Sequence, residues 1–306
     1  MRVQTSISSM GAWVLWWCAI LVSAPLLAQT NGSEDWRAWA ARMDKAQQSL
    51  NYDATMVIDV GDNNWDLVEL SQRVGPGGPE QQWVSLNGAG RRQLRTSQGI
   101  SVLGPEGDQR IGRGAQLRLG EASEQLASSY RISMEGTDRV AGRQAVRMVL
   151  QPLQPDRYGL HLWIDADTGL PLRSERIGAN DAMLERRMVT RLTVRGFAGT
   201  RPPMPALGSA QGAGWSLPSG FRLVGSALAV PGLAGARQWV ISDGVAWVSV
   251  YQMTLPSGLT LDRNGWRRGA MSQVTVRDGD HWFYVLGDLP PETLIRVGQA
   301  AIAAEP

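Results

Sequence analysis

Two histidines, His161 and His281, are the imidazoles available to a metal site or a general base. Neither has a second histidine one helical turn away, and they fall in different halves of the chain. Asp165-Ala166-Asp167-Thr168-Gly169 offers closely spaced oxygens to a calcium ion. No glutamate closes that loop where an EF-hand requires one, and a hairpin turn accounts for the same residues. Glu34-Asp35, and Asp278 with Asp280, are carboxylate pairs at a helix start and in a turn, where a solvated structural role is simpler than acid–base work. Ser219-Gly220 lacks a Gly-x-Ser-x-Gly frame, and no Walker-type loop or Gly-x-Gly-x-x-Gly follows a strand. The single Cys is Cys18. It lies in a segment expected to be removed, which leaves no thiol for a disulfide, a nucleophile or a Cys-based zinc site. The sequence therefore assigns no catalytic residue, no metal ligand and no cofactor.

Tryptophan and arginine are the residue types that stand out. There are thirteen Trp, of which Trp13, Trp16 and Trp17 lie near the N-terminus. Large aromatics serve an ordinary core first, but so many also suit a roomy apolar cavity or a partner groove. Among 30 basic residues Lys45 is the lone lysine. Guanidinium groups suit carboxylate and phosphate partners, although genome base composition explains the bias as well. Against 28 acidic residues the net charge is only +2. The two signs interleave, as in Leu184-Glu185-Arg186-Arg187, and no basic run of the kind that binds nucleic acid occurs. A chain with 43% hydrophobic and 19% charged residues is an ordinary folded one.

Residues 1–28 read as a secretory signal peptide: Arg2, an apolar run from Ala12 to Val22, Pro25 and the small residue Ala28. A cut after Ala24 and an uncleaved anchor are the alternatives. The apolar run is short for a membrane span, and the chain is expected to be exported. Residues 34–50 then carry Trp36, Trp39, Ala40, Met43, Ala46 and Leu50 at helical spacing, with Ser33 as the expected cap. From Tyr52 the period becomes two: Tyr52, Ala54, Met56, Ile58 and Val60 face one way. Strands are expected at 52–60, 65–73, 82–86, 91–96, 100–103, 130–134, 139–141, 144–151, 158–165, 172–177 and 183–197, with a short helix at 120–129. A helix followed by so many strands predicts a sheet that curls around the helix stripe.

Residues 198–214 are rich in Pro, Gly and small residues, and read as a linker. The expected domains are 29–197 and 215–306. In the second, strands are expected at 222–229, 238–242, 245–251, 272–277 and 282–287. Asp243-Gly244 marks a hairpin, and Pro290-Pro291 opens a last helix at 292–303.

Several stretches, in order, resemble one family. They are Ala46-Gln47-Gln48-Ser49-Leu50-Asn51-Tyr52; the run from Tyr158 to Arg173 with its Trp163-Ile164-Asp165 and Thr168-Gly169-Leu170-Pro171; Trp215-Ser216-Leu217-Pro218-Ser219-Gly220-Phe221; Ser242-Asp243-Gly244; and Val285 to Thr293. Together they are similar to the RseB/MucB family and span both sides of the linker. The segment from Gly61 to Arg118 departs from the family pattern. The resemblance implies an α+β chain: an N-terminal curled antiparallel half-barrel around a helix, lipoprotein-carrier-like, plus a smaller C-terminal α+β domain. It implies a non-enzymatic periplasmic regulator that binds the periplasmic domain of an RseA/MucA-like transmembrane anti-sigma factor. Bound, the regulator shields that factor from regulated proteolysis, and lipid or lipopolysaccharide signals release it.

The lipid-cavity candidates are Trp65, Leu67, Trp83, Tyr130, Ile132 and Trp163, each also explicable as ordinary core. The partner-binding candidates are Arg195, Arg201, Trp215, Arg267 and Arg268, each also explicable as solvated surface. Two other readings compete: a periplasmic lipid or lipoprotein carrier, which leaves residues 215–306 without a task, and a hydrolase with dispersed residues around His161 or His281. Self-association into a homo-oligomer is left open.

Overall fold

The structure is a computed structural model. It describes residues 35–61, 64–88, 90–96, 99–104, 107–112, 117–198, 214–227, 235–254 and 265–304. The signal peptide expected at 1–28, the Ser33 cap, Arg201 and most of the 198–214 linker lie outside the described residues.

Helix α1 (Trp36–Ser49) starts at Asp35, whose side chain accepts the Arg37 N–H at 3.0 Å. Its buried side includes Ala40, Met43 and Ala46. The chain passes directly into β1 (Leu50–Asp59), where burial alternates from Leu50 to Met56. Then follow β2 (Trp65–Gly75), β3 (Gly78–Ser85), β4 (Arg92–Thr96), β5 (Gly99–Gly104), β6 (Gly107–Gly112) and the short helix α2 (Ser123–Ser129). The first half closes with β7 (Tyr130–Val140), β8 (Arg143–Pro152), β9 (Gly159–Asp165), β10 (Pro171–Ile177) and β11 (Met183–Phe197).

These form one 11-stranded antiparallel sheet in the order β6-β5-β4-β3-β2-β1-β11-β10-β9-β8-β7. The first and last strands are thus neighbours at its centre, with Leu50 opposite Phe197 and Asp59 opposite Arg186. A sheet this wide twists and curls, and α1 sits against its concave face. Met43 packs among Leu126, Tyr130, Met148 and Leu162. Ala46 packs among Tyr52, Ala54, Leu70 and Leu172. The runs expected at 130–134 and 139–141 are one strand, β7, with a register shift between Met134 and Thr137 where Gly136 takes φ +71°. Strand β6 was not anticipated, because its short Gly-flanked run carries little apolar alternation.

The second half contains β12 (Arg222–Ala227), β13 (Arg237–Ser242), β14 (Trp247–Thr254), β15 (Gly265–Arg268), β16 (Met271–Asp278), β17 (His281–Gly287) and helix α3 (Pro291–Ala303). Its 6-stranded sheet runs β12-β13-β14-β17-β16-β15. Leu294, Val297 and Ala301 of α3 close one face over Val250, Phe283 and Val285. Edge strand β15 escaped the sequence reading, since all four of its residues are exposed. The described helices include none long and apolar enough to cross a membrane. Both halves, from Ser33 to Pro306, form one compact unit.

Candidate functional site

Helix α1 does not fill the curl of the large sheet. A cavity of about 270 Å³ remains beside it. Alternation along the strands supplies its apolar floor: Tyr52, Ala54 and Met56 from β1, Leu70 from β2, Leu172 from β10 and Val189 from β11. The roof comes from the other half of the chain, through Val245, Trp247, Ala270, Met271 and Asp288.

Charged groups ring the space between floor and roof. Arg176 donates to Asp288 Oδ2 at 2.5 Å and to the Val245 carbonyl at 2.9 Å. The other oxygen of Asp288 accepts the Trp247 N–H at 2.7 Å. Burial pushes the Asp288 carboxyl up to about 6, against the pull of Arg176 and of that N–H. Arg187 donates to Glu185 at 2.6 Å. Arg95 stacks on Trp83 at 4.7 Å, and burial, helped by neighbouring Arg187, lowers its pKa to about 10. Arg95 Nε and Arg176 Nη1 are buried and meet no acceptor among the described residues. An apolar floor with unspent guanidinium donors at its margin can take a molecule with a greasy body and an acidic end.

The two halves meet along a polar seam centred on the turn between β13 and β14. Asp243 Oδ1 shapes that turn by accepting the N–H groups of Val245 and Ala246 at 2.9 and 2.7 Å. Its Oδ2 faces the first half, where it accepts the Tyr130 hydroxyl at 3.0 Å and Arg157 Nη1 at 2.9 Å. Arg157 and Asp243 side chains are each 1% exposed. The same guanidinium also binds Asp156 and the Ser219 carbonyl, and lies 4.7 Å from the Phe221 ring centre. Two glycines permit the close approach. Gly244, at φ +94°, would drive a Cβ to 2.3 Å from Ala122; Gly220, at φ +82°, would drive one to 2.3 Å from the Ser129 hydroxyl.

Of the residues singled out for a lipid cavity, Trp83 lines this one. Trp163 does not. It opposes Arg147 and Arg173 in the sheet register, on the face opposite cavity residues Leu160 and Leu162. There it is buried, stacked between those two guanidiniums at 5.3 and 4.2 Å, and it donates to Asp138 at 3.1 Å. The register carries the same outer face across β11 and β1 to Leu67 and Trp65, through Met188 and Val57, and through Arg186 and Asp59. Trp65 is exposed there and Leu67 half-buried. Tyr130 belongs to the seam, and Ile132 packs near α1. Of the partner candidates, Arg195 is exposed and paired with Asp53 at 2.6 Å. Trp215 packs on the α3 core with its ring 5.7 Å from that of Trp239. Arg267 lies 5.8 Å from the Tyr158 ring, and Arg268 reaches Asn64 and Asp66, so both bridge the halves.

Asp165 and His161, two of the residues considered for chemistry, are engaged by neighbouring side chains. Asp165 is fully buried; burial raises its pKa, but bonds from Arg143 and Thr168 hold it below the usual carboxylate range. That pairing makes the 165–169 turn a structural one. His161 and His281 lie on different sheets. Burial, and then Arg147, lower the His161 pKa. Among the described residues, no group of three or more His, Cys, Asp or Glu could hold a metal. Sequence reasoning missed Arg157, Arg176 and Asp288. The signal was present in part, since Ser219-Gly220, Ser242-Asp243-Gly244 and Asp288 all fall within stretches that carried the family resemblance.

Residues 35–209 match the MucB/RseB N-terminal domain, and residues 209–301 match the MucB/RseB C-terminal domain. The chain belongs to the MucB/RseB family. Among curated MucB/RseB relatives, the sigma factor AlgU regulatory protein MucB of Pseudomonas aeruginosa is 28% identical over 303 residues, covering 91% of this chain and 94% of that protein. The sigma-E factor regulatory protein RseB of Salmonella typhimurium is 28% identical over 316 residues, covering 94% and 97%. Among solved structures, MucB superposes with a TM-score of 0.64 at 26% identity, over 88% of this chain and 98% of that one. MucB in the Pseudomonas aeruginosa MucA/MucB complex gives 0.62 at 26%, over 86% and 97%. The curated relatives are named as regulatory proteins, and the similarity runs through both sheets.

Proposed function

We propose that this protein is a non-enzymatic periplasmic regulator of an extracytoplasmic-function sigma factor. It binds the periplasmic region of a transmembrane anti-sigma factor and shields it from regulated proteolysis. A lipid or lipopolysaccharide signal, taken up in the hollow of the large sheet, releases it. The observation that carries this reading is near-full-length similarity to a MucB chain crystallised with MucA(peri). The match covers both halves, and the seam that joins them holds two surfaces in fixed register, as a ligand docking across both would need. Export through a leader at 1–28 and division at the 198–214 linker belong to the same proposal.

A carrier of lipid or lipoprotein is the second reading, favoured by the apolar floor of the cavity. Its weakness is the roof: a carrier needs no second sheet whose Val245, Trp247 and Met271 cover the hollow. Calorimetric titration of residues 29–306 with the soluble periplasmic segment of the cell's own anti-sigma factor separates the two. Saturable one-to-one binding, weakened by lipopolysaccharide, is expected. No heat with the segment, together with lipid retention by residues 29–197 alone, would favour the carrier.

A further inference from the structure

We propose that the Ser242–Val245 turn is a plug whose seating limits what the hollow can hold, so that a long-chain amphiphile fills it only when the C-terminal sheet lifts. This deepens the lipid-release part of the reading above and rests on it. Three observations carry it.

The first is shared material. Val245 belongs to the apolar cluster around Met43 and Leu162 in the first half, and it also forms part of the cavity roof. Its carbonyl, like Asp288, is held by Arg176, which projects from the cavity wall. A molecule that pushes on the roof therefore pushes on the bonds that dock the two halves.

The second is size. Pockets that enclose drug-sized ligands span roughly 300–1,000 Å³. At about 270 Å³ the roofed hollow sits at the lower edge of that range, so a long chain together with a bulky head needs more room than the seated roof leaves. The floor is β-sheet held by continuous ladders. The roof is held by a turn and a few ion pairs.

The third is the fit of the plug. The ideal Cβ distances at Gly244 and Gly220 leave no slack at the seam. The turn is either seated or out, and interfaces packed this closely switch between discrete positions rather than stretch. Ligand in the hollow and docking of the C-terminal sheet then oppose one another through linkage.

The test is a covalent tie across the seam. The chain beyond the leader has no cysteine, so an introduced pair is unambiguous. A Cβ at position 220 would lie 3.5 Å from that of Ser129, within the range a disulfide accepts. In Ser129→Cys/Gly220→Cys, uptake of dansyl-undecanoate is followed by fluorescence in the oxidised and the reduced protein. We expect at least tenfold weaker uptake when oxidised, restored by reductant in the same sample. Equal uptake by the tied and reduced forms overturns the plug while leaving the lipid reading intact. No uptake by any form, the unmodified chain included, overturns both.

Discussion

Asp243 divides its carboxylate between two tasks. One oxygen folds the β13–β14 turn and the other docks it on Tyr130 and Arg157. Removing one member of a buried ion pair leaves the other uncompensated, at about 3–5 kcal/mol. Asp243→Ala should lose stability toward the low end of that range in urea denaturation, because Arg157, 1% exposed, loses its buried partner across the seam but keeps Asp156. Asp243→Asn keeps an oxygen for the turn and should lose distinctly less. Equal losses for the two would mean that the turn-shaping oxygen adds little and that the docking oxygen carries the effect. Asp243-Gly244 was legible as a hairpin from its residue types alone. The target of the second oxygen was not, since Tyr130 and Arg157 are remote in sequence. Trp163 teaches the converse. Its face follows from the alternation of Leu160, Leu162 and Ile164, yet its bulk suggested a cavity, and only neighbours remote in sequence, among them Asp138, Arg147 and Arg173, explain how it is buried on the outer side.

Among the elements, α1 makes the most consequential contact. Its apolar side was readable from spacing, but Asp44 on the same helix is also buried. Asp44 Oδ2 accepts the N–H groups of Gly120 and Glu121 at 2.9 and 3.3 Å, pinning the loop that leads into α2. Oδ1 meets no donor among the described residues. Burial raises its pKa from 3.8 to about 6, against the pull of those two N–H groups. A carboxyl with a folded value above its unfolded one holds its proton more tightly in the fold. Its contribution is fully present below about pH 4 and is lost as pH rises to about 6. A shift of about two units corresponds to about 3 kcal/mol. Asp44→Asn does not titrate, so its stability relative to the parent should improve by up to that amount between about pH 4 and pH 7. Parallel stability–pH curves for the two proteins would refute this role.

At the scale of the whole molecule, the seam makes two sheets into one unit. With Arg157, Asp243 and Tyr130 all buried between them, residues 29–306 should unfold in a single calorimetric transition. Gly244→Val forces a branched side chain into φ +94° and onto Ala122. It should unseat the turn and split that transition into two, with each sheet retaining its circular dichroism. One transition at a lower temperature would instead indicate that the sheets depend on each other through the remaining contacts.

The sequence by itself determined most of the element types and their extents, and the family. These rest on local signals: a period of 3.6 giving way to a period of 2, turn dipeptides, and short ordered stretches. Only the tertiary structure decided that β1 pairs with β11, that the hollow is roofed by the other half, and that Arg157 and Arg176 fasten that roof. Each of these joins residues far apart along the chain. Their partners are fixed by which faces the curled sheet turns inward and by which buried charges must find an opposite, and no local pattern carries that information.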